Sequence, residues 1–232
     1  MNGFLMLFLF FGGTGGSSGD ARYENIDPGL VDLIEKIDEK AATITSLKAR
    51  FVQRKEISLL KEPVEKKGTF YLKRPDGFKL DFDPEEDLVM IITNEEMVAI
   101  SPSAKKAEQI KLKKRQIGLT QRILSDKLGT MVNYFNITRA VRTGGPGGQR
   151  LVLTPNKRKL KKKFREIEIW IDDQYLIHKL KVTSKDGDVH ELSLIDIQLN
   201  VPIDAKMFDT SIPEDFEVGD RLEYLFGPGM SF

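Results

Sequence analysis

Gly68-Thr-Phe-Tyr-Leu-Lys-Arg-Pro-Asp-Gly-Phe-Lys-Leu-Asp-Phe82 is the stretch whose reading decides the fold. Apolar and polar residues alternate on either side of Arg74-Pro-Asp-Gly77. A period of two puts Phe70 and Leu72, then Phe78, Leu80 and Phe82, on one face of two extended segments. Between them, Pro presets its φ, Asp bonds its own backbone and Gly tolerates a positive φ, which together make a turn. The stretch therefore predicts an antiparallel hairpin with one apolar face.

The pattern extends in both directions. Leu88-Val-Met-Ile-Ile92, Thr93-Asn-Glu-Glu96 and Met97-Val-Ala-Ile100 read as a second hairpin, closed by Ser101-Pro102. Residues 134–142 and 150–154 flank a glycine-rich loop, and three longer strands follow at 164–171, 175–184 and 189–199. In the last of these, Leu192 and Leu194 share one parity, while Ile195, Ile197 and Leu199 share the other. A phase slip inside a strand predicts a β-bulge. Two amphipathic helices interrupt the strands. Asp27-Pro28 opens the first with a cap and a first-turn proline. Leu30, Leu33, Ile34, Ile37, Ala41 and Ile44 then recur at helical spacing, with Glu35, Lys36, Asp38, Glu39 and Lys40 on the other face. Leu119, Ile123, Leu124 and Leu128 mark the second helix, ending near Gly129.

Helix, hairpins, helix, hairpins is an α+β layout with the helices segregated to one side. It lacks the βαβ alternation of a nucleotide-binding parallel sheet. A meander of about ten strands curls strongly, into a barrel or a half-barrel with a concave apolar face. The pattern leaves open whether side chains fill that face or a ligand does. No linker rich in Pro, Gly or Ser divides residues 20–232, which read as one domain.

The 232 residues are 31% charged and 40% hydrophobic, which argues against a disordered chain. With 36 basic and 35 acidic side chains, the whole molecule is not a polyanion binder. The absence of cysteine excludes a disulfide framework, thiolate metal sites, a cysteine nucleophile and a lipid-anchored bacterial N-terminus. Residues 1–19 carry no charged side chain, and a short apolar core is followed by small residues. That is the pattern of a secretory signal peptide, too short to span a membrane.

No catalytic constellation is present. His178 and His190 lie in consecutive predicted strands across a turn, where they could be cross-strand neighbours, but no third ligand stands at metal spacing. Glu85-Glu86 and Glu95-Glu96 sit in turns, and no phosphate-binding glycine motif occurs. The expectation is no enzyme, no metal and no cofactor. Two basic segments stand out. Lys105, Lys106, Lys111, Lys113, Lys114 and Arg115 face only Glu108, and Lys157, Arg158, Lys159, Lys161, Lys162, Lys163 and Arg165 face no acid. They read either as contacts for an anionic partner or as lysines that protect strand edges. Nucleic acid is not expected, because no aromatic residues are interleaved for base stacking.

The stretch 69–80 resembles the signature of LolA-like periplasmic lipoprotein carriers: an aromatic strand, Lys-Arg-Pro, two variable residues, then an aromatic, a basic and an apolar residue. Ser46-Leu-Lys-Ala-Arg-Phe-Val-Gln53 is similar to the family's first strand after its N-terminal helix. The hairpin through Asn94-Glu-Glu-Met97, the strand Leu151-Val-Leu-Thr-Pro155 and the closing segment Ile203-Asp-Ala-Lys-Met-Phe-Asp-Thr-Ser-Ile-Pro213 also resemble family patterns, in the family's order. The likeness runs from about residue 30 to 218. It implies an incomplete antiparallel β-barrel of about ten or eleven strands with a helical lid over a hydrophobic cavity for acyl chains. Leu33, Ile37, Phe51, Phe70, Leu72, Phe78, Leu80, Phe82, Met90, Met97, Ile123 and Leu124 are the expected lining. The implied role is a monomeric, non-enzymatic shuttle in the periplasm, moving lipid-modified proteins from an inner-membrane ABC-type exporter to an outer-membrane receptor. A lipid-binding envelope sensor or regulator on the same fold is the alternative. Lys79 occupies the position of the family's basic lid latch, commonly Arg followed by Trp, where this chain has Lys79-Leu80. Strand alternation turns Lys79 away from Phe78 and Leu80. Lys113, Lys114 and Arg115, just before the presumed lid at 116–129, and Lys161, Lys162 and Lys163 are the expected contacts with an anionic membrane or exporter.

Overall fold

Asp27 caps the first helix as expected: its carboxylate accepts a hydrogen bond from the Leu30 N–H at 3.0 Å, and Pro28 sits in the first turn. These residues belong to a computed structural model that describes residues 27–57, 62–111, 128–140 and 148–219. The helix, α1 (Pro28–Ala42), buries Leu30, Leu33, Ile34 and Ile37. Ile44 is also buried, but it lies beyond the helix end. Asp38, expected on the solvent face, is buried instead. The signal segment 1–19 and most of the second predicted helix lie outside the described residues; the end of that helix, Leu128–Asn133, is a 3₁₀ turn.

The strands are β1 (Ser46–Glu56), β2 (Val64–Lys73), β3 (Gly77–Phe82), β4 (Val89–Ile92), β5 (Glu96–Ser101) and β6 (Lys106–Lys111), then β7 (Phe135–Arg139), β8 (Gln149–Pro155), β9 (Phe164–Ile171), β10 (Ile177–Ser184), β11 (Val189–Leu199) and β12 (Glu217–Gly219). They form one 12-stranded sheet in the order β12-β6-β5-β4-β3-β2-β1-β11-β10-β9-β8-β7. All described pairings are antiparallel except β12 with β6. The sheet is open, with β12 and β7 at its edges, and has few helices. This is the α+β incomplete barrel expected from the sequence. Two strands go beyond the pattern reading: β6 sits within the first basic segment, and β12 is three residues long.

Two meanders meet where β1 pairs with β11. The expected bulge lies there. Lys48 pairs with Gln198, but Arg50 pairs with Ile195, so β11 carries one extra residue. Asp196 absorbs the kink at φ 53. Leu192 and Leu194 before the bulge, and Ile197 and Leu199 after it, pack on the inner face. Ile195 is left 49% exposed on the outer one. The bulge lets a strongly twisted strand keep its apolar side inward along its whole length. His190 faces Val182 across the β10–β11 ladder, so the two histidines are not register partners.

The C-terminal segment straps the convex face. The 3₁₀ turn Ala205–Phe208 packs on β3, Thr210 Oγ1 hydrogen-bonds Glu96, and β12 runs along β6. Ile91 and Val98, opposite in parity to the inward Met90 and Met97, are 5% and 0% exposed on that convex side.

Candidate functional site

The concave face is built by alternation. From β1 comes Phe51, from β2 Phe70 and Leu72, from β3 Phe78, Leu80 and Phe82, and from β4 and β5 Met90 and Met97. Leu33 and Ile37 of α1 join them in one apolar cluster. Each of these ten expected lining residues is buried in that cluster. The other two, Ile123 and Leu124, lie outside the described residues. Phe51 and Phe82 pack edge to face with ring centroids 5.1 Å apart, and the Phe70 and Phe78 rings lie 6.1 Å apart. Such pairs add to area burial because the ring edge carries positive charge and the face negative charge.

The sequence reading named only one half of this face. The other half comprises Ile137 from β7, Leu151 and Leu153 from β8, Ile167, Ile169 and Ile171 from β9, Leu180 from β10 and Leu192 from β11. Their alternation was visible in the sequence. Missing was the knowledge that β1 and β11 are neighbours, which brings both halves onto one surface.

Phe51, Phe70, Phe78, Leu80, Met90 and Met97 are each exposed by 2% or less. These six side chains are packed against other atoms, and the unbranched thioethers of Met90 and Met97 among them can repack at little cost.

Polar contacts tie α1 to the sheet and to the 3₁₀ turn. Asp38 on α1 accepts hydrogen bonds from the backbone N–H groups of Leu128 at 2.6 Å and Gly129 at 3.0 Å. A buried carboxylate thus holds the start of the 3₁₀ turn against α1. Arg74 of the Lys-Arg-Pro signature donates from Nη1 to the Ala41 carbonyl at 3.0 Å. A cation at a helix C-terminus meets the unpaired carbonyls and the negative end of the helix dipole. Burial pushes its pKa down. At the other end of α1, Arg139 Nη2 donates to the Gly29 carbonyl at 2.9 Å.

Lys79 lies on the convex side, opposite in parity to Phe78 and Leu80, with its Nζ 3.3 Å from the Asp81 carboxylate. Lys161, Lys162 and Lys163 are exposed, at the end of a short helix, α2 (Arg158–Lys161), and just after it. Lys113, Lys114 and Arg115 lie outside the described residues. Among the described residues no group of His, Cys, Asp and Glu could hold a metal ion, and no helix is long and apolar enough to cross a membrane.

Comparison with known proteins agrees with this architecture. None of the curated proteins matches the chain. Among solved structures, an uncharacterized conserved protein from Thermus thermophilus aligns with a TM-score of 0.53 at 11% identity, covering 83% of this chain and 99% of that one. Lipoprotein LppX from Mycobacterium tuberculosis aligns at 12% identity with a TM-score of 0.47, over 77% of this chain and 99% of its own. A LolA superfamily protein from Nitrosomonas europaea aligns at 13% identity with a TM-score of 0.40, over 77% and 96%. The family model described as outer membrane lipoprotein carrier protein LolA matches residues 42–211, the span that builds the sheet from β1 to β11. The chain belongs to the LolA family of outer membrane lipoprotein carrier proteins.

Proposed function

We propose that this protein is a periplasmic carrier that takes the acyl chains of lipoproteins on its concave face and moves them from an inner-membrane ABC-type exporter towards an outer-membrane receptor. The observation that carries the reading is the continuous apolar surface spanning both halves of an open sheet, in a chain of the carrier family. Each buried CH₂ is worth about 0.8 kcal/mol, so acyl chains do not cross water unaided. An open sheet can change its curvature without breaking a closed ring of ladders, which suits a face that must both shield and release its cargo. Asp38 fastens the start of the 3₁₀ turn at Leu128 to α1. The carrier works as a monomer, without catalysis or cofactor, after export directed by residues 1–19.

Native mass spectrometry of the protein purified from a bacterial periplasm, followed by organic extraction, tests this reading. Co-purified acyl chains or a lipoprotein are expected. A clean apo mass, with no uptake of a purified lipoprotein or of a fluorescent fatty acid, would leave the concave face an ordinary core.

The basic turn at α2 supplies the membrane or exporter contact. Lys161, Lys162 and Lys163 are exposed, and clustered lysines near an anionic surface gain about 1 kcal/mol each. Replacing all three with Glu is expected to weaken binding to liposomes containing phosphatidylglycerol at least tenfold at low salt. An unchanged affinity in a sedimentation assay removes this contact surface.

A further inference from the structure

On the convex face of the sheet, lysines are held by carboxylates. Lys67, Lys79, Lys179 and Lys181 each have one within 3.3 Å. The turn between β8 and β9 departs from this. Lys157, Arg158, Lys159, Lys161, Lys162 and Arg165 are all exposed, and none of them forms an ion pair with a described residue. The acids at this rim are Glu166 on β9 and Asp186 and Asp188 on the β10–β11 turn, which the Lys185 N–H ties to the Lys163 carbonyl at 2.9 Å. Cations outnumber them.

The turn is a fixed platform. Leu160 packs against the apolar cluster, the Lys157 carbonyl accepts from the Leu160 and Lys161 N–H groups at 3.0 Å, and the Leu160 carbonyl accepts from the Lys163 N–H at 2.9 Å. With Leu160 turned to the core, its charged neighbours project into solvent. Tyr134 completes the rim. Its carbonyl accepts from the Asn156 N–H at 2.9 Å, directly before the turn, and Asn156 Nδ2 donates to the Val132 carbonyl at 3.3 Å. Phe135 takes the inward side, so Tyr134 takes the outward one and stays 40% exposed, the only large aromatic side chain so exposed among the described residues. An aromatic ring with a polar tip beside clustered lysines is the combination that settles at a headgroup layer, the ring among the headgroups and the cations drawn to anionic lipid.

We infer that this rim, the β8–β9 turn together with Tyr134, docks the protein on the surface of an anionic lipid bilayer. The inference rests on the reading of the basic turn as a contact surface and names its partner: lipid rather than exporter protein. The residue types favour lipid. Within 157–162 the cations are Lys157, Arg158, Lys159, Lys161 and Lys162, spread round one helical turn instead of along a stripe. Lysine is a strongly hydrated point charge on a flexible stem, which suits a diffuse plane of headgroups, whereas the fixed carboxylates of a protein partner are best met by the planar fork of arginine. Such attraction fades over about 10 Å at 0.1 M salt, so docking is reversible and the carrier leaves the leaflet again.

The test is sedimentation of the protein with phosphatidylcholine vesicles, with and without phosphatidylglycerol. Binding is expected to the anionic vesicles alone, and high salt should weaken it. Replacing Lys157, Lys159 and Lys162 with Gln is expected to weaken it at least tenfold, while displacement of the fluorophore N-phenyl-1-naphthylamine by palmitate stays as in the parent protein. Tyr134→Trp locates the contact: its added emission should shift to the blue on anionic vesicles and stay unchanged on neutral ones. If the protein binds anionic vesicles without that shift, or if the triple variant binds them as the parent does, the docking rim is overturned. If soluble poly-glutamate binds and vesicles do not, the basic turn remains a contact surface but its partner is an acidic protein, and the bilayer assignment falls. If neither binds, the contact surface falls too.

Discussion

Replacing Gly68 with alanine is expected to destabilise the fold by about 3 kcal/mol, the upper end for overpacking a core. Gly68 sits in β2 between Phe51 of β1 and Phe82 of β3 in register. A Cβ there would meet the Asp81 carbonyl oxygen at 2.2 Å, Phe51 Cε1 at 2.7 Å and the Phe82 Cα at 2.7 Å. Two of those three atoms are backbone in the next strand, so no rotamer change relieves the clash. The missing side chain is what lets the Phe51 and Phe82 rings close edge to face over the strand. A urea midpoint measures the loss. Thr69→Ala, one residue along on the outer face, removes only a 3.3 Å hydrogen bond from Arg50 and should shift stability by about 1 kcal/mol or less. Equal shifts for the two variants would mean that the close approach at Gly68 does not matter.

Asp38→Ala carries the second large effect. The variant leaves the Leu128 and Gly129 N–H groups without the buried acceptor they have at 2.6 and 3.0 Å. An orphaned buried polar group loses about 1–3 kcal/mol, so a total of about 2–4 kcal/mol is expected. Asp38→Asn keeps one acceptor oxygen and should lose less. The functional consequence is specific, because these bonds fasten the 3₁₀ turn Leu128–Asn133 to α1. Amide exchange at Leu128 and Gly129 should accelerate at least tenfold in Asp38→Ala, and bound acyl chains should leave faster. Unchanged exchange at those two amides would mean that the segment is fastened elsewhere.

Asp38 also shows where sequence reading stops. In sequence it falls in a run of charges with Glu35, Lys36, Glu39 and Lys40 that reads as a solvent face, although at i+4 from Ile34 it stands at the edge of the apolar stripe. It is buried because a segment about ninety residues later in the chain brings two backbone donors to it. Helical period assigns a residue to a side; it does not say what arrives there. β6 was obscured differently. Its lysines made the stretch read as a charge cluster, yet Ala107 and Glu108 are buried in the strand. With three residues, β12 has too little pattern to be read at all. The lysine predicted as a latch lies on the convex side beside Asp81, as period two required, and the polar contacts that fasten α1 come from Asp38, Arg74 and Arg139.

By itself, the sequence determined the antiparallel hairpin at residues 68–82, the capped helix α1, the bulge in β11, the apolar parity of the strands it predicted and the family. All of these are local: they follow from side-chain period, turn chemistry and short motifs. Only the tertiary structure decided that β1 lies beside β11, which joins two meanders into one concave surface. Register is a property of two paired strands. Neither strand's own sequence contains it when about 140 residues lie between them, since alternation gives the face a side chain takes but not the neighbour it meets there.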